Sequence, residues 1–187
     1  MLATLCVLLP AIVVAGQGPG ARAVAGAWTL ATEDGAIVTT HDGSRWPGTA
    51  GYPFAVFEQP SDFSSGVASI EFKLIGGTDD YPAGLVFGRR GESFFYVRYN
   101  TKDGNVALWR MDGPTRSRIS NGAIREQLEK DVWHTLELVV EGANVRATVN
   151  GRLTVEHTLD VPPAPGQLGL WTKPDATTAF RNLRVRN

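Results

Sequence analysis

Cysteine is all but missing from this chain. Of 187 residues only Cys6 is a cysteine, and it lies in an uncharged apolar stretch, residues 2–16 (LATLCVLLPAIVVAG). Without that stretch the chain has no disulfide, no thiolate metal site and no cysteine nucleophile. An excess of one charge is missing too. Lys and Arg number 18 against 19 Asp and Glu, a net charge of -1. Nothing in that balance suggests a nucleic-acid surface or a polybasic membrane patch. Helical periodicity is scarce: NGAIREQLEKD, residues 121–131, is the one place for a helical turn, and it reads equally as a loop. Histidines are few as well. His41, His134 and His157 stand far apart, and no two have metal-ligand spacing.

The first segment is read as a secretory signal peptide, residues 1–23. Its apolar run is short and broken by Pro10, which argues against a transmembrane helix. Ala21-Arg22-Ala23 fits a small-residue cleavage site, and Val13-Val14-Ala15 is an earlier alternative. No Lys or Arg precedes the apolar run, and an uncleaved anchor is the competing reading. Cleavage after Ala23 removes Arg22 only, leaving 17 basic against 19 acidic residues, or -2. The expected destination is the periplasm or the exterior, with no membrane attachment after cleavage. Residues 24–187 then form one domain.

What the sequence does contain is alternation. GVASIEFKL places Ala68, Ile70, Phe72 and Leu74 on one side and Ser69, Glu71 and Lys73 on the other. SFFYVRYN and NVALWRM are two strands joined by TKDG, with Asp103-Gly104 in the turn. AIVTT, PFAVFEQ and AGLVFG are further strands. WHTLELVVEG, NVRATVNG and RLTVEHTL form a meander that turns at Glu141-Gly142-Ala143 and at Asn150-Gly151, a type I′ signal. GQLGLW and TAFRNLRVRN close the chain. Phe180 and Leu183 break strict alternation, which predicts a bulge. The 21 Gly and 11 Pro punctuate these runs. Ten to thirteen short strands with almost no helix predict an all-β sandwich of two antiparallel sheets.

Four segments in order, AGLVFGRR, SFFYVRYNTKDGNVALWR, WHTLELVVEGANVRATVNGRL and GQLGLWTKPDATTAFRNLRV, resemble the concanavalin A-like (laminin G-like) jelly rolls of exported bacterial proteins. Within that group they are similar to the 3-keto-disaccharide hydrolase domain, itself related to family 16 glycosidases. The resemblance implies a concanavalin A-like jelly-roll β-sandwich. It leaves activity open, since such folds host lectins, glycosidases and plain interaction modules. Glycoside hydrolysis needs two carboxylates about 5 Å apart for retention or about 6.5–9.5 Å apart for inversion. Family 16 enzymes supply them as E-x-D-x-x-E, which this sequence lacks. Glu33-Asp34, Glu126-Glu129 and Glu156-Asp160 are the nearest clusters, and each reads as solvated surface.

The best binding candidates lie in FFYVRYN. Period two puts Tyr96, Arg98 and Asn100 on one side and the more apolar Phe95, Val97 and Tyr99 on the other, toward the core. The first set is expected on an open concave face. Trp109 of the next strand joins it or is core. Arg89 joins it only if a bulge at Gly88 reverses its parity. Aromatic rings stack on sugar C–H faces while Arg and Asn bond hydroxyls, so this patch suits a carbohydrate or cell-envelope glycan. Trp171 is expected at the edge of the sandwich. Lys173 and Asp175 are turn residues first and rim candidates second, since Pro174 presets a turn. Trp28 and Trp133 read as structural, Trp133 as a plug at the end of the sandwich. Trp46 reads as a loop residue. No cofactor is expected except a calcium ion, for which the loop carboxylates Asp79, Asp80 and Asp103 would serve.

Three functions compete. The first is a non-catalytic, exported carbohydrate-binding module. The second is a 3-keto-glycoside hydrolase or lyase, where one base and a cation or metal could suffice because the proton beside a ketone is acidic. The third is an adhesion or scaffold domain that binds protein.

Overall fold

The computed structural model describes residues 20–43 and 52–186. The apolar leader, Cys6 and Trp46 lie outside these residues. The alternating segments become fourteen strands: β1 Arg22–Ala25, β2 Trp28–Glu33, β3 Ala36–Asp42, β4 Phe54–Val56, β5 Gly66–Gly76, β6 Ala83–Arg90, β7 Ser93–Asn100, β8 Asn105–Asp112, β9 Thr115–Asn121, β10 Trp133–Glu141, β11 Asn144–Val149, β12 Leu153–Thr158, β13 Gln167–Trp171 and β14 Thr177–Arg186. This is above the expected ten to thirteen. Strands β1, β2 and β9 are the additions. They are exposed along most of their length, so they lack the apolar alternation that marks a half-buried strand. Residues 122–130 carry no helical turn and run as a loop.

The strands form two antiparallel sheets of seven. The first has the order β1-β4-β13-β6-β7-β8-β9, and the second β12-β11-β10-β5-β14-β3-β2. Between them lies the main core. Leu85, Phe87, Val97, Tyr99, Val106, Leu108 and Leu170 from the first sheet meet Ile70, Phe72, Leu74, Leu136, Leu138, Val149 and Phe180 from the second. Burying a side chain of this kind contributes roughly 1.5–3 kcal/mol. Close packing of the two inner faces also fixes the register of the strands that line it, because a one-residue slip would turn each apolar side chain outward.

Local chemistry sets the irregular points. Asn150 and Gly151 hold φ of 51° and 68°, as a type I′ hairpin demands. Asn150 also accepts from the Thr135 N–H at 3.0 Å and meets His134 Nδ1 at 3.0 Å. Gly88 has a φ of 60°, and the β6–β7 register shifts between Phe87 and Arg90. That bulge does reverse the parity of Arg89. In β14 the register shifts between Arg181 and Arg184 around Asn182, whose φ is 58°, so Phe180 and Leu183 both reach the core.

Two tryptophans sit differently from one another. Trp28 packs on the core beside His41 and Phe180, with ring centres 5.1 and 6.1 Å away. Trp133 does not plug the sandwich end. It lies on the outer face of the second sheet, flanked by Lys73 at 4.7 Å and Arg181 at 4.0 Å. Its strand neighbour His134 takes the inward position instead, against Phe72 at 5.5 Å.

Candidate functional site

Strand β7 divides by parity. Phe95, Val97 and Tyr99 face the core, whereas Phe94, Tyr96, Arg98 and Asn100 face the other side of the first sheet. On that outer face a second apolar cluster forms from Val86, Phe94, Tyr96, Met111 and Trp171, with Tyr52, Phe54 and Trp109 packed against it. Pairing across the sheet builds it. Tyr96 sits opposite Val86 and Trp109, and Trp171 sits opposite Gly84 and Phe54. Gly84 leaves room for Trp171, whose Cβ and Cε3 approach within 3.3 Å of where a Cβ would stand. The rings stack: Tyr96 on Trp171 at 4.5 Å, Tyr96 on Trp109 at 6.3 Å, and Tyr52 against Trp171 at 5.0 Å. Trp109 is therefore an outer-face residue and not part of the inter-sheet core. Trp171 is not an edge residue either. It ends β13, third in its sheet, and is fully buried beneath the outer face.

Arg116, on β9, organises this cluster. Its Nε donates to the Tyr96 hydroxyl at 2.6 Å and its Nη1 to the Tyr52 hydroxyl at 2.7 Å. The guanidinium lies 3.9 Å from the centre of the Trp109 ring, 4.7 Å from Tyr52 and 5.3 Å from Trp171. Each such contact contributes about 0.5–2 kcal/mol, more as water is excluded. Burial pushes the Tyr96 phenol well above its ordinary pKa, and Arg116 only partly offsets this, so Tyr96 is a neutral hydroxyl. Sequence reasoning missed Arg116. Its signal was the alternation in Thr115-Arg116-Ser117-Arg118, which pairs with the strand carrying Trp109.

The expectation of an open polar face needs correction. Tyr96, Arg98 and Asn100 are 0%, 4% and 3% exposed. Asn100 has no group to spare. Its Nδ2 donates to Asp80 at 2.8 Å, and its Oδ1 accepts from the Lys102 and Asp103 N–H groups at 2.8 and 3.2 Å, closing the TKDG turn. Arg98 is the reverse case. Among the described residues its guanidinium finds no hydrogen-bond partner, and Nε and Nη1 are both buried. It lies 5.3 Å from the Trp109 ring centre. Burial lowers its pKa, opposed mainly by the field of Asp80. The indole N–H groups of Trp109 and Trp171 are also buried without a partner. Arg89 joins the outer face through the bulge. It donates to Gln167 Oε1 at 2.7 Å, lies 5.3 Å from Phe54, and leaves its own Nε unpartnered.

The closing loop reaches the same region through Asp80. Lys173 Nζ stands 2.5 Å from Asp80 Oδ2, and Thr101 Oγ1 donates to Oδ1 at 3.1 Å. Asp175 instead accepts from the N–H and hydroxyl of Thr78. Burial pushes its carboxyl up, but those bonds outweigh burial and hold it below the ordinary aspartate value. Asp79 pairs with Lys102 at 3.0 Å, and Asp103 projects from its turn. So Asp79 and Asp80 are engaged by different partners, and among the described residues no three His, Cys, Asp or Glu side chains gather as metal ligands.

An all-β sandwich of this kind, with its strands in two antiparallel seven-membered sheets, is a jelly roll of the concanavalin A-like lectin and glucanase class. The chain belongs to the family of 3-keto-alpha-glucoside-1,2-lyase-like domains, whose family model matches residues 17–186. Among curated proteins none matches it significantly in sequence. Among solved structures it is similar to the carbohydrate binding module CBM66 from Bacillus subtilis, with 18% identity over 90% of this chain and 96% of that one and a TM-score of 0.71. A Bacillus subtilis protein of unknown function with a galectin-like fold gives 14% identity over 89% and 88%, with a TM-score of 0.67. A prokaryotic β-1,3-1,4-glucanase (lichenase) from a mouse hindgut metagenome gives 12% over 82% and 80%, with a TM-score of 0.57. At these identities the likeness is one of fold.

Proposed function

We propose that this is an exported carbohydrate-binding module whose ligand docks on the outer face of the first sheet, at the Trp109–Arg116–Arg98 cluster. One observation carries the reading. Buried N–H donors of Arg98, Trp109 and Trp171 lie at a stacked aromatic cluster and find no acceptor among the described residues. Buried donors left without partners cost about 1–3 kcal/mol each, so a fold that keeps three groups of them in one place favours an occupant rich in acceptors. A sugar offers hydroxyl acceptors and an apolar C–H face for the half-buried indole of Trp109. The fold it shares with a carbohydrate binding module supports the same reading.

The test is isothermal titration against a panel of soluble and cell-envelope oligosaccharides, with wild type and Trp109→Ala. Removal of the indole is expected to weaken binding roughly tenfold or more. If no glycan binds, or if the variant binds as tightly as wild type, the site is wrongly placed.

Family membership favours a second reading, a 3-keto-glycoside lyase. In that chemistry a base removes the proton on C2, beside the C3 ketone, and the C1–oxygen bond breaks as a C1–C2 double bond forms. The aglycone leaves and takes up a proton. Asp80 is the carboxylate whose field acts most on Arg98, but its oxygens are engaged by Lys173, Asn100 and Thr101. Incubation with 3-keto-glucosides, with and without added divalent metal, should then release free aglycone together with an enone absorbance. No release under either condition would set this reading aside.

A further inference from the structure

The charges on the outer face do not balance. Three guanidiniums surround one indole: Arg116, Arg98 and Arg118 lie 3.9, 5.3 and 5.8 Å from the centre of the Trp109 ring. Among the described residues none of them pairs with a carboxylate. Arg116 is bonded to two phenol oxygens, and Arg98 is bonded to nothing although it is 4% exposed. The field of Asp80 and Asp103 reaches Arg98, yet neither carboxylate bonds it, and Asp80 is already held by Lys173. Several arginines elsewhere among the described residues do find a carboxylate. Arg181 with Glu71, Arg152 with Glu126 and Arg110 with Asp112 are all joined within 3.3 Å. A buried cation in low dielectric calls for a counter-charge, and guanidinium favours a planar carboxylate through paired charge-assisted bonds.

From this imbalance we propose that the ligand is an acidic glycan, a uronic-acid-containing oligosaccharide whose carboxylate is held between Arg98 and the β9 arginines while a neighbouring ring stacks on Trp109. Arg118 is exposed and meets the carboxylate first. Arg116 turns from the tyrosine hydroxyls or shares them, and Arg98 supplies the buried contact. The inference rests on the glycan-binding reading above and adds the class of ligand.

The experiment compares uronate oligosaccharides of several types (galacturonate, glucuronate-containing, and mannuronate or guluronate) with their carboxyl-reduced, neutral counterparts by isothermal titration. At least one acid is expected to bind roughly ten- to a hundredfold tighter than its reduced form. That preference should shrink as ionic strength rises. Arg98→Gln should remove most of it, and Arg98→Lys should restore only part, because an ammonium keeps the charge and loses the fork. Arg118→Gln guards against a folding artefact, since an exposed residue with no hydrogen bond can be changed without disturbing the core. It should reduce the preference two- to threefold. If neutral glycans bind as tightly as acidic ones, or alone, the acidic ligand is refuted and the glycan site stands. If nothing in either set binds, both readings fall. A preference untouched by Arg98→Gln and Arg118→Gln would also overturn the proposal.

Discussion

Changing Asp80 to Asn tests the link that ties the closing loop to β7. Asp80 is 1% exposed, and its Oδ2 is shared by Lys173 Nζ at 2.5 Å and Asn100 Nδ2 at 2.8 Å, while Oδ1 accepts from Thr101 at 3.1 Å. An asparagine can keep an acceptor toward Lys173 and Asn100 only by turning its amide toward Thr101. The geometry survives and the charge does not. Breaking a fully buried pair costs about 3–5 kcal/mol, because the surviving ion is stranded. Lys173 keeps 24% of its side chain in solvent and can rehydrate in part, which lowers the expected loss to about 2–3 kcal/mol. In a domain of this size that corresponds to a fall in Tm of roughly 5–10 °C. Urea denaturation of wild type, Asp80→Asn, Lys173→Met and the double variant measures it. The double variant should recover stability relative to Asp80→Asn, giving a coupling above about 1 kcal/mol. A loss under about 0.5 kcal/mol for Asp80→Asn, or strictly additive single effects, would mean that water already screens the pair and that the reasoning is wrong.

Three further outcomes are expected. His41 is fully buried, with Nδ1–H donating to the Ala176 carbonyl at 2.7 Å; burial is the main cause that lowers its pKa, so its stabilising contribution is complete above about pH 6.5 and is lost as pH falls below that. The urea midpoint should therefore drop between pH 7.5 and 5 more steeply in wild type than in His41→Gln, and equal slopes would contradict this. Ala21 is 2% exposed and Arg22–Ala25 pairs with β4, so a chain processed after Ala23 would lose part of a strand. N-terminal sequencing of the protein purified from its native source should show a start upstream of Ala21, and Val24 at the N-terminus would refute it. At Gly169 an added Cβ would fall 2.4 Å from the Ala55 carbonyl oxygen, so Gly169→Ala should push β4 off β13 and destabilise the fold by about 1–3 kcal/mol in denaturant titration, with no measurable loss as the contrary result.

Much of the frame was legible because its causes are local. Alternation in β5, β7 and β8 marked strands and their inward faces, and Asn150-Gly151 marked a hairpin whose φ values only such residues adopt readily. Even the bulge that turns Arg89 outward was conditional on one glycine, and the bulge around Asn182 was visible as a break in period. Strands β1, β2 and β9 were not legible, since mostly exposed edge strands carry no alternating apolar signal. Arg116 went unseen with β9.

For the site, the sequence by itself determined which residue types share a side of β7: Tyr96, Arg98 and Asn100 against Phe95, Val97 and Tyr99. Parity is a property of the extended backbone and needs no knowledge of neighbours. Only the tertiary structure decided what covers that side and what each polar group meets. Asn100 is consumed by Asp80 and its own turn, Asp80 is claimed by Lys173 from 93 positions away, and Arg98 is left without an acceptor. Those outcomes depend on pairings between distant segments, which no short-range pattern encodes. They also turn Trp171 from an expected edge residue into the floor of the cluster that Arg116 covers.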